Sequence, residues 1–437
     1  MSLPPATRTA SSPNPLRVVF GDANQQQTVY RRIREFTERL TEPLSPEDCV
    51  VQSMPDASPV KWHLAHTTWF FETFILNADP NYRPYHPQFS FLFNSYYNGV
   101  GDRHARPKRG LLTRPSLGDV YAYREVVDDA VCQRIESGLS KELTEILEIG
   151  LNHEQQHQEL TLTDVKHLLS CNPLLPTYLD GAAAPTETPA PTLEWQVFTE
   201  GVREIGLLAE TTQFCFDNET PQHRVFLEAF ELSNRLVTNG EFRQFMDAGG
   251  YEQPEYWLSA GWDVVQREGW RAPLYWHWDD SEWKTFTLGG VRAIEDNEPV
   301  CHLSYFEADA YARWAGARLP TEVEWEVAVR QNHTSQHKFG GFVESGRLHP
   351  SPATTRSMQQ LFGEVWEWTG SPYTAYPGYR PLGGVLGEYN GKFMCDQWVL
   401  RGGSCLTAKE HVRSTYRNFF PATARWQMSG FRLARDC

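Results

Sequence analysis

Two histidines four residues apart constrain this chain more than any other feature of its sequence. His153 and His157 lie within residues 142–169, where apolar side chains recur with the period of an α-helix. Residues four apart stand one turn above each other on a helix, so both imidazoles face one side and can reach the same metal ion. The rest of that side is apolar. The sequence therefore predicts two histidines that point into a protein core.

Three interpretations of this pair compete. The first is two core histidines that are satisfied by hydrogen bonds. The second is a zinc peptidase, because the motif His-Glu-x-x-His places Glu154 beside the metal as a general base. The third is a metalloenzyme built in a helical bundle, with its third ligand on another helix.

A third histidine helps to separate these interpretations. His66 belongs to a predicted helix over residues 59–78, on a stripe of aromatic side chains that faces inward. Three inward imidazoles leave coordination positions open for substrate, whereas a structural zinc site is closed by four ligands. Metal ligation by His66, His153 and His157 is therefore favoured, and Glu154 is expected to cap the structure or to be solvated. The imidazole donors alone leave Fe(II), Zn and Cu open.

The chain of 437 residues is too long for one ordinary core, and its character changes midway. Residues 1–24 are expected to form a flexible leader. Residues 25–171 are expected to form a four-helix bundle with one long, functional connection at residues 81–117. The predicted helices cover residues 25–42, 59–78, 118–138 and 139–170.

A segment rich in Pro, Ala and Thr, at residues 172–192, is predicted to be the linker between two domains. Residues 193–437 consist of short segments rich in Gly and Trp, which indicate an irregular α+β domain. Two capping boxes of the form Ser/Thr-x-x-Glu, at Thr238–Glu241 and Thr321–Glu324, predict the starts of two helices within it.

Composition argues against several classes of function. Asp and Glu outnumber Lys and Arg by 55 to 40, and the net charge of −15 disfavours nucleic acid or an anionic membrane as a partner. Eight scattered cysteines without a Cys-x-x-Cys pair fit free thiols in a reducing compartment. No secretory pattern is visible, and no apolar run approaches the roughly 20 residues that span a bilayer. The protein is expected to be cytoplasmic, and its oligomeric state is left open.

A series of motifs runs through almost the whole chain. They are Leu64-Ala65-His66, His153–His157, Pro299–Ser304, Trp314–Glu322, Gly363–Trp368, Arg401–Ser404 and Gly430–Arg432. In this order they resemble the EgtB-type sulfoxide synthases of ergothioneine biosynthesis. The resemblance implies a DinB-like four-helix bundle followed by a formylglycine-generating-enzyme-like α+β domain of the C-type-lectin kind.

The resemblance also implies a chemistry. In this family Fe(II), held by three histidines, serves to join a thiol to C2 of the imidazole of hercynine (Nα-trimethylhistidine) with O2, giving a sulfoxide. The implied iron ligands are His66, His153 and His157, and the implied substrates are hercynine, O2 and a thiol, either cysteine or γ-glutamylcysteine. The alternatives are a related imidazole C–S-forming oxygenase, the zinc peptidase, and a DinB-type protein that binds metal or senses thiols.

The second domain departs from its relatives at two positions. Formylglycine-generating enzymes carry two cysteines there that bind copper, and Arg413 and Asn418 stand at the matching positions in this chain. The resemblance therefore implies that this domain is a scaffold and a wall of the substrate site, without copper chemistry.

Arg106 and Arg109 match the family's arginine pair for the carboxylate of the thiol substrate. Arginine suits a carboxylate because its planar fork makes two parallel hydrogen bonds. A solvated basic loop is the alternative for this stretch.

Three further residues match the family's contacts to hercynine, and two phenylalanines that follow them are candidates for a fourth contact. Gln156 matches a contact to the imidazole, Tyr389 a polar contact, and Asn418 a contact to the carboxylate. Phe419 and Phe420 come next in the chain, and aromatic faces suit a trimethylammonium group through cation–π attraction. Ordinary core packing is the alternative for the two phenylalanines.

Two departures from the best-known members point to free cysteine and to a different proton source. Phe419 and Phe420 replace a Trp-Asp pair whose Asp meets the ammonium of γ-glutamylcysteine. Leu386 stands where those members carry a catalytic Tyr. Tyr96 and Tyr97 are therefore predicted as the catalytic pair, one of which supplies the proton or hydrogen atom to the oxygen. This loop is similar to that of a second, cysteine-using type of the family, and aromatic loop packing is the alternative for it.

Overall fold

The computed structural model describes residues 22–184, 189–208, 211, 214–332 and 340–437, so most of the predicted leader lies outside the described residues. The helices are α1 Ala23–Arg39, α2 Val60–Phe74, α3 Phe89–Phe93, α4 Leu117–Glu136, α5 Lys141–Ser170, α6 Asn239–Asp247, α7 Ser259–Glu268, α8 Tyr305–Trp314 and α9 Glu322–Gln331. The strands are β1 Trp195–Phe198, β2 Gly201–Ile205, β3 His223–Leu227, β4 Phe230–Ser233, β5 Trp276–Asp279, β6 Glu282–Thr287, β7 Gly290–Ala293, β8 Trp366–Pro372, β9 Trp398–Arg401, β10 Asn418–Phe420, β11 Ser429–Gly430 and β12 Ala434–Asp436. Among these helices, none has both the length and the apolar character needed to cross a membrane.

Helices α1, α2, α4 and α5 form the N-terminal bundle and confirm the four helices predicted from the sequence. Ser116 and Ser140 begin α4 and α5, because their side-chain oxygens accept backbone N–H groups of the first helical turn. Helix α2 is buried along almost its whole circumference, since it packs against both α4 and α5. A helix in this position is expected to be apolar all round, and the polar residues that α2 does carry, such as Lys61 and Glu72, are buried with hydrogen-bond partners.

Gly150 allows α5 to approach α2 closely. A Cβ atom at this position would fall 2.5 Å from Cε1 of Phe71 and 2.9 Å from Cε1 of Phe70, well inside van der Waals contact. Because α2 carries His66 and α5 carries His153, this close approach helps to set the separation of the predicted ligands.

Short helices and small sheets make up the C-terminal domain. The sheets have the strand orders β1-β4-β12, β10-β9-β8-β11, β2-β3 and β5-β6-β7. The capping boxes predicted at Thr238–Glu241 and Thr321–Glu324 are present at the starts of α6 and α9. The predicted order of a helical bundle followed by an irregular α+β domain is thereby confirmed.

Helix α5 joins the two domains through a buried carboxylate. Glu159 accepts hydrogen bonds from Trp366 Nε1 at 2.8 Å, Ser404 Oγ at 2.5 Å and Thr407 Oγ1 at 2.7 Å. Burial raises the pKa of this carboxyl group, and the three donors counteract part of that effect. These bonds fix how the bundle sits on the second domain.

Tyr178, in the middle of the predicted linker, lies between the two domains. The backbone N–H groups of Tyr178 and Leu179 donate to the carbonyl oxygen of Leu288, at 3.0 and 3.1 Å. The hydroxyl of Tyr178 donates to the carbonyl oxygen of Leu40 in the bundle, at 2.6 Å. One buried residue of the segment thus bonds to both domains.

Candidate metal centre and substrate site

His66, His153 and His157 meet in the interior of the bundle and are called the triad below. His66 comes from α2, and the other two come from successive turns of α5. One ring nitrogen of each lies within 4.8 Å of the others, and all three side chains are buried. The structure thus brings together the three predicted ligands.

Hydrogen bonds on Nδ1 orient two of these rings. His66 Nδ1 lies 2.6 Å from the carbonyl oxygen of Phe93. A carbonyl oxygen can only accept, so His66 carries its proton on Nδ1 and presents the Nε2 lone pair to the centre. His157 Nδ1 lies 2.8 Å from His63 Nδ1, and His63 Nε2 lies 3.1 Å from Asp164 Oδ2. His63 and Asp164 therefore form an outer layer behind the triad.

The triad fits a bound metal ion. Burial, together with the neighbouring His153, holds the pKa of His66 and His157 well below the ordinary value. Burial also lowers the pKa of His153 to about 3, so all three imidazoles are neutral at physiological pH. His66 Nε2 lies 3.2 Å from His153 Nε2, the spacing of two nitrogens that are each about 2.1 Å from one ion. Neutral imidazoles in a dry interior suit Fe(II), Zn or Cu.

Glu154 is neither solvated nor a helix cap, so the expectation from sequence is wrong on this point. The carboxylate is fully buried and accepts from Arg124 Nη2 at 2.7 Å, Arg34 Nη1 at 2.8 Å and Thr37 Oγ1 at 2.7 Å. Burial raises its pKa, but the two guanidinium groups outweigh burial and lower it to about 2.

The direction of Glu154 follows from helix geometry. Adjacent residues on a helix differ in direction by roughly 100°, and the bonds to Arg34 on α1 and Arg124 on α4 hold the Glu154 carboxylate on the side of those two helices. A carboxylate that two arginines hold on the far side cannot act as a general base at the metal. The structure therefore argues against the zinc-peptidase interpretation.

Arg109 lies beside the triad as a buried cation. Its Cζ is 3.3 Å from the ring centroid of Trp62, which stacks on His66 at 4.5 Å. Nη1 donates to Ser58 Oγ at 2.9 Å, while Nε has no hydrogen-bond partner among the described residues. Burial is the largest influence on the pKa of this guanidinium and lowers it. A buried guanidinium with an unused donor is suited to an anionic group.

Arg106 is placed differently from Arg109. Its side chain is exposed, and Nη2 donates to the carbonyl oxygen of Asp56. Of the predicted arginine pair, the described structure brings Arg109 to the triad and leaves Arg106 at the surface.

Tyr96 and Tyr97 lie close to the triad, with their ring centroids 4.7 Å apart. Tyr97 is fully buried and packs against Trp69 at 5.8 Å, and Trp69 stacks on His66 at 5.4 Å. Burial raises the pKa of both hydroxyls. Both tyrosines therefore keep their protons at neutral pH, as a proton donor requires.

Glu388 and Lys392 of the second domain, called the clamp below, hold the loop that carries Tyr96 and Tyr97, called the tyrosine loop. Glu388 accepts from the backbone N–H groups of Gly99 at 2.8 Å and Asn98 at 3.0 Å. Lys392 bonds to Glu388 at 3.0 Å, donates to the carbonyl oxygen of Tyr96 and lies 4.9 Å from its ring centroid. The position of the tyrosine pair thus depends on both domains.

Gln156 projects from α5 towards the second domain, next to the triad. Its Nε2 donates to the hydroxyl of Tyr416 at 2.6 Å, and its Oε1 accepts from the hydroxyl of Tyr389. The Tyr389 ring lies 5.7 Å from His153 and stacks on Phe216 at 5.3 Å. The structure therefore brings the predicted pair of Gln156 and Tyr389 together and adds Tyr416 to it.

Asn418, Phe419 and Phe420 form the edge strand β10, and all three are half-buried. Phe419 lies 5.7 Å from Phe393, close to the tyrosine loop, whereas Phe420 packs on Trp426 at 5.6 Å. Successive side chains of a strand point to opposite faces. The structure thus separates the two phenylalanines that the sequence presents as a pair.

An ion pair occupies the place that matches the copper-binding cysteines. Arg413 Nε donates to the carboxylate of Glu219 at 2.8 Å, and Thr415 Oγ1 donates to the same carboxylate at 2.6 Å. Asn418 Oδ1 accepts from the backbone N–H of Phe419. A guanidinium has no lone pair to offer a metal ion, so Arg413 cannot serve as a ligand in place of a cysteine.

His63, Asp164 and Tyr416 were missed by the sequence analysis. A signal existed for two of them, because His63 precedes His66 by three residues and Asp164 follows His157 by seven. Both spacings place a side chain on the helix face of the triad. Tyr416 meets Gln156 from 260 residues away, and no local pattern reveals such a contact.

Comparisons with known proteins cover both domains. Residues 30–161 match the DinB superfamily, and residues 182–437 match the sulfatase-modifying factor enzyme 1-like domain. The hercynine oxygenase of Mycolicibacterium smegmatis is 32% identical over 429 residues, which cover 92% of this chain and 96% of that protein. The hercynine oxygenase of Mycobacterium tuberculosis is 33% identical over 432 residues, with 93% and 97% covered. The formylglycine-generating enzyme of Mycobacterium tuberculosis is 29% identical over 256 residues, with 46% and 84% covered.

A DinB-type bundle with a buried imidazole triad, joined to a sulfatase-modifying-factor-like domain, defines the class of this protein. The similarity to the two hercynine oxygenases extends through both domains. The chain belongs to the family of the hercynine oxygenases, and the resemblance inferred from its motifs is confirmed.

Proposed function

We propose that this protein is a hercynine-modifying oxygenase of the non-haem iron(II) type, which forms a sulfoxide from hercynine and L-cysteine. The names of its relatives support the oxygenase activity and its substrate. The reaction balances as hercynine plus thiol plus O2 giving the sulfoxide plus water. A C–H and an S–H bond are lost, a C–S and an S–O bond form, and O2 takes up four electrons. The observation that carries the proposal is the triad of neutral, buried imidazoles next to a buried guanidinium.

The metal would be held by His66, His153 and His157. Fe(II) in this place supplies open coordination positions, the charge that favours the thiolate over the thiol, and electrons for O2. The protein residues supply the rest, namely the binding of two substrates, their orientation, and a source of protons.

Arg109 is proposed to bind the carboxylate of the thiol substrate. Its Nε has no partner among the described residues, so a carboxylate would satisfy a buried donor that is otherwise unused. The stacking of Trp62 between Arg109 and His66 places this anion site next to the triad. Arg106 remains a proposed second contact, although its guanidinium is engaged at the surface.

Hercynine is proposed to bind between Gln156 and the second domain. Gln156 would contact the imidazole, Tyr389 a polar group of the ligand, and Asn418 its carboxylate. Phe419 lies on the side of the tyrosine loop and suits the trimethylammonium group better than Phe420, which packs on Trp426. The aromatic strand offers no carboxylate for the ammonium of γ-glutamylcysteine, which favours cysteine.

Tyr96 or Tyr97 is proposed to supply the proton or hydrogen atom to the oxygen. Both hydroxyls are protonated at neutral pH because burial raises their pKa. Comparing Tyr96→Phe with Tyr97→Phe tests this, since each change removes one hydroxyl and keeps the ring. We expect one of the two variants to lose most sulfoxide formation. Unchanged product in both would remove the tyrosines from the reaction.

Oxygen uptake by the Fe(II)-loaded protein tests the proposed function. We expect uptake that requires hercynine and cysteine together, with one sulfoxide formed per O2. Faster turnover with γ-glutamylcysteine would overturn the choice of thiol but keep the reaction. Metal binding without O2 uptake in the presence of either thiol would instead support a metal-binding or thiol-sensing protein.

A further inference from the structure

Tyr416 and Tyr389 both form hydrogen bonds to the side-chain amide of Gln156, an arrangement called the grip below. The amide Nε2 donates to the Tyr416 hydroxyl at 2.6 Å, and the amide Oε1 accepts from the Tyr389 hydroxyl. The two ends of one side-chain amide are thus held by two hydroxyls, and each end of the amide faces its own tyrosine. Two bonds hold the plane of the amide, because a hydroxyl can donate or accept at either end and any rotation of the amide out of this plane weakens both bonds.

The Tyr416 ring is itself held firmly. It is buried, with Trp366 at 5.5 Å on one flank and Phe216 at 5.7 Å on another. The guanidinium carbon of Arg413 lies 4.9 Å from its ring centroid, and Arg413 is bound in turn to Glu219. Arg413, at the position predicted to match the first copper-binding cysteine, therefore helps to hold Tyr416 against the helical bundle.

The grip leaves a defined polar face for a ligand. Of the two N–H groups on Nε2, one is used by Tyr416; of the two lone pairs on Oε1, one is used by Tyr389. One donor and one acceptor remain, at fixed positions beside His157. A neutral imidazole also has one N–H and one nitrogen lone pair, so an amide held in this plane has a partner atom for either ring nitrogen.

We propose that Tyr416 is a positioning residue for hercynine, which holds the Gln156 amide in the place where it contacts the substrate imidazole. The inference rests on the proposed function for the identity of the imidazole ligand. Tyr416 acts through Gln156, so removing its hydroxyl affects hercynine and leaves the thiol site unchanged. Burial raises the pKa of Tyr416, which keeps its hydroxyl neutral in this role.

The test is Tyr416→Phe in the full-length, Fe(II)-loaded protein. We expect the Kd for hercynine, measured by calorimetry without O2, and the KM for hercynine to rise about tenfold, the effect of losing one hydrogen bond. The KM for cysteine should stay the same. The double variant Y416F/Q156A should bind hercynine no more weakly than Gln156→Ala alone, because both changes act at the same contact.

Tyr251→Phe is the matched control. Tyr251 is a buried tyrosine of the second domain whose hydroxyl donates to Glu307 at 2.5 Å, apart from Gln156. It should keep the wild-type affinity for hercynine. An unchanged affinity in Tyr416→Phe, an equal rise in both KM values, or additive effects in the double variant would each overturn the inference.

These outcomes are separable from those of the proposed function. Hercynine binding without O2 uptake would overturn the function, while the affinity series would still decide the role of Tyr416. Wild-type turnover with an unaffected Tyr416→Phe variant would overturn only the inference. No binding of hercynine by the wild-type protein would overturn both.

Discussion

His63 and His157 meet through their Nδ1 atoms, 2.8 Å apart, and this contact decides which nitrogen of His157 faces the triad. Asp164 accepts from His63 Nε2 at 3.1 Å, so a neutral His63 keeps its proton on that nitrogen and accepts at Nδ1. His157 must then donate from Nδ1, which leaves its Nε2 lone pair for a metal ion. Two residues outside the triad thus select the ligating tautomer.

Asp164→Asn should therefore weaken metal binding. The amide lacks the charge that holds the His63 proton, and outer-layer changes of this kind cost about 10–100-fold in metal affinity. Competition with a chelator of known affinity measures the effect. Glu148→Gln, at a buried carboxyl group on the same helix, is the control and should bind metal as the wild type does. Equal affinities in both variants would show that the Asp164–His63 pair does not tune the ligand.

Glu154→Gln should destabilise the fold. The change removes the fully buried counter-charge that Arg34 and Arg124 share and leaves them only the partly exposed Asp128 and Glu38. Breaking such a buried pair costs about 3–5 kcal/mol. Denaturant unfolding gives the free energy directly. Glu38→Gln is the control, because Glu38 pairs with the same Arg124 at 3.0 Å but its side chain is 43% exposed. It should cost at most about 1 kcal/mol.

The same Glu154→Gln variant should alter acid stability in a defined direction. The pKa of Glu154 is lowered to about 2 in the fold, against about 4.3 for an unfolded glutamate. Its contribution to stability is therefore complete above about pH 4.3 and is lost as the pH falls towards 2. The difference in unfolding free energy between wild type and variant should shrink over this range. A difference that stays constant would contradict an ionised Glu154.

Arg109→Gln should raise the KM for cysteine by about 10–100-fold, the effect of losing one charge-assisted hydrogen bond. The KM for hercynine should stay the same, because Arg109 lies on the Trp62 side of the triad and makes no hydrogen bond to Gln156 in the described residues. Arg106→Gln is the matched control from the same turn, and its exposed side chain predicts a smaller effect. If both substitutions raise the KM equally, the carboxylate site requires both arginines in solution.

Glu388→Ala should slow sulfoxide formation without loss of metal. The clamp holds the backbone at Asn98 and Gly99, and misplacing a reacting group by about 1 Å costs roughly a hundredfold. The ratio of kcat values and the metal content of the purified variant are the measurements. Glu410→Ala serves as control, since Glu410 pairs with Arg32 in an exposed contact between the same two domains. A fall in kcat in both variants would point to general loosening of the domains.

Regular periodicity explains what the sequence could predict. The helices of the bundle and the inward direction of His66, His153 and His157 follow from local spacing alone, as do the capping boxes of α6 and α9. The sequence motifs of the second domain extended the family resemblance to the whole chain. None of these inferences required knowledge of which side chains meet across the fold.

Tertiary contacts explain what the sequence could not predict. Glu154 looks solvated on a helical wheel, yet Arg34 and Arg124 on two other helices bury it. Arg106 and Arg109 are equivalent in sequence, but only Arg109 lies against Trp62. Tyr416 lies between Thr415 and Arg417, where no local pattern marks it, and its contact to Gln156 depends on a helix from the other domain. Each of these facts depends on pairs of residues that are distant in the chain.

The carboxylate of Glu159 limits which second domains can be combined with this helical bundle. The helix that provides two of the triad histidines packs Glu159 against the neighbouring domain, where Trp366, Ser404 and Thr407 supply all three donors for that carboxylate. A recombination event that replaced either half would bury an acid without partners unless it preserved those donors. Any replacement of one domain is therefore constrained by three single side chains of the other.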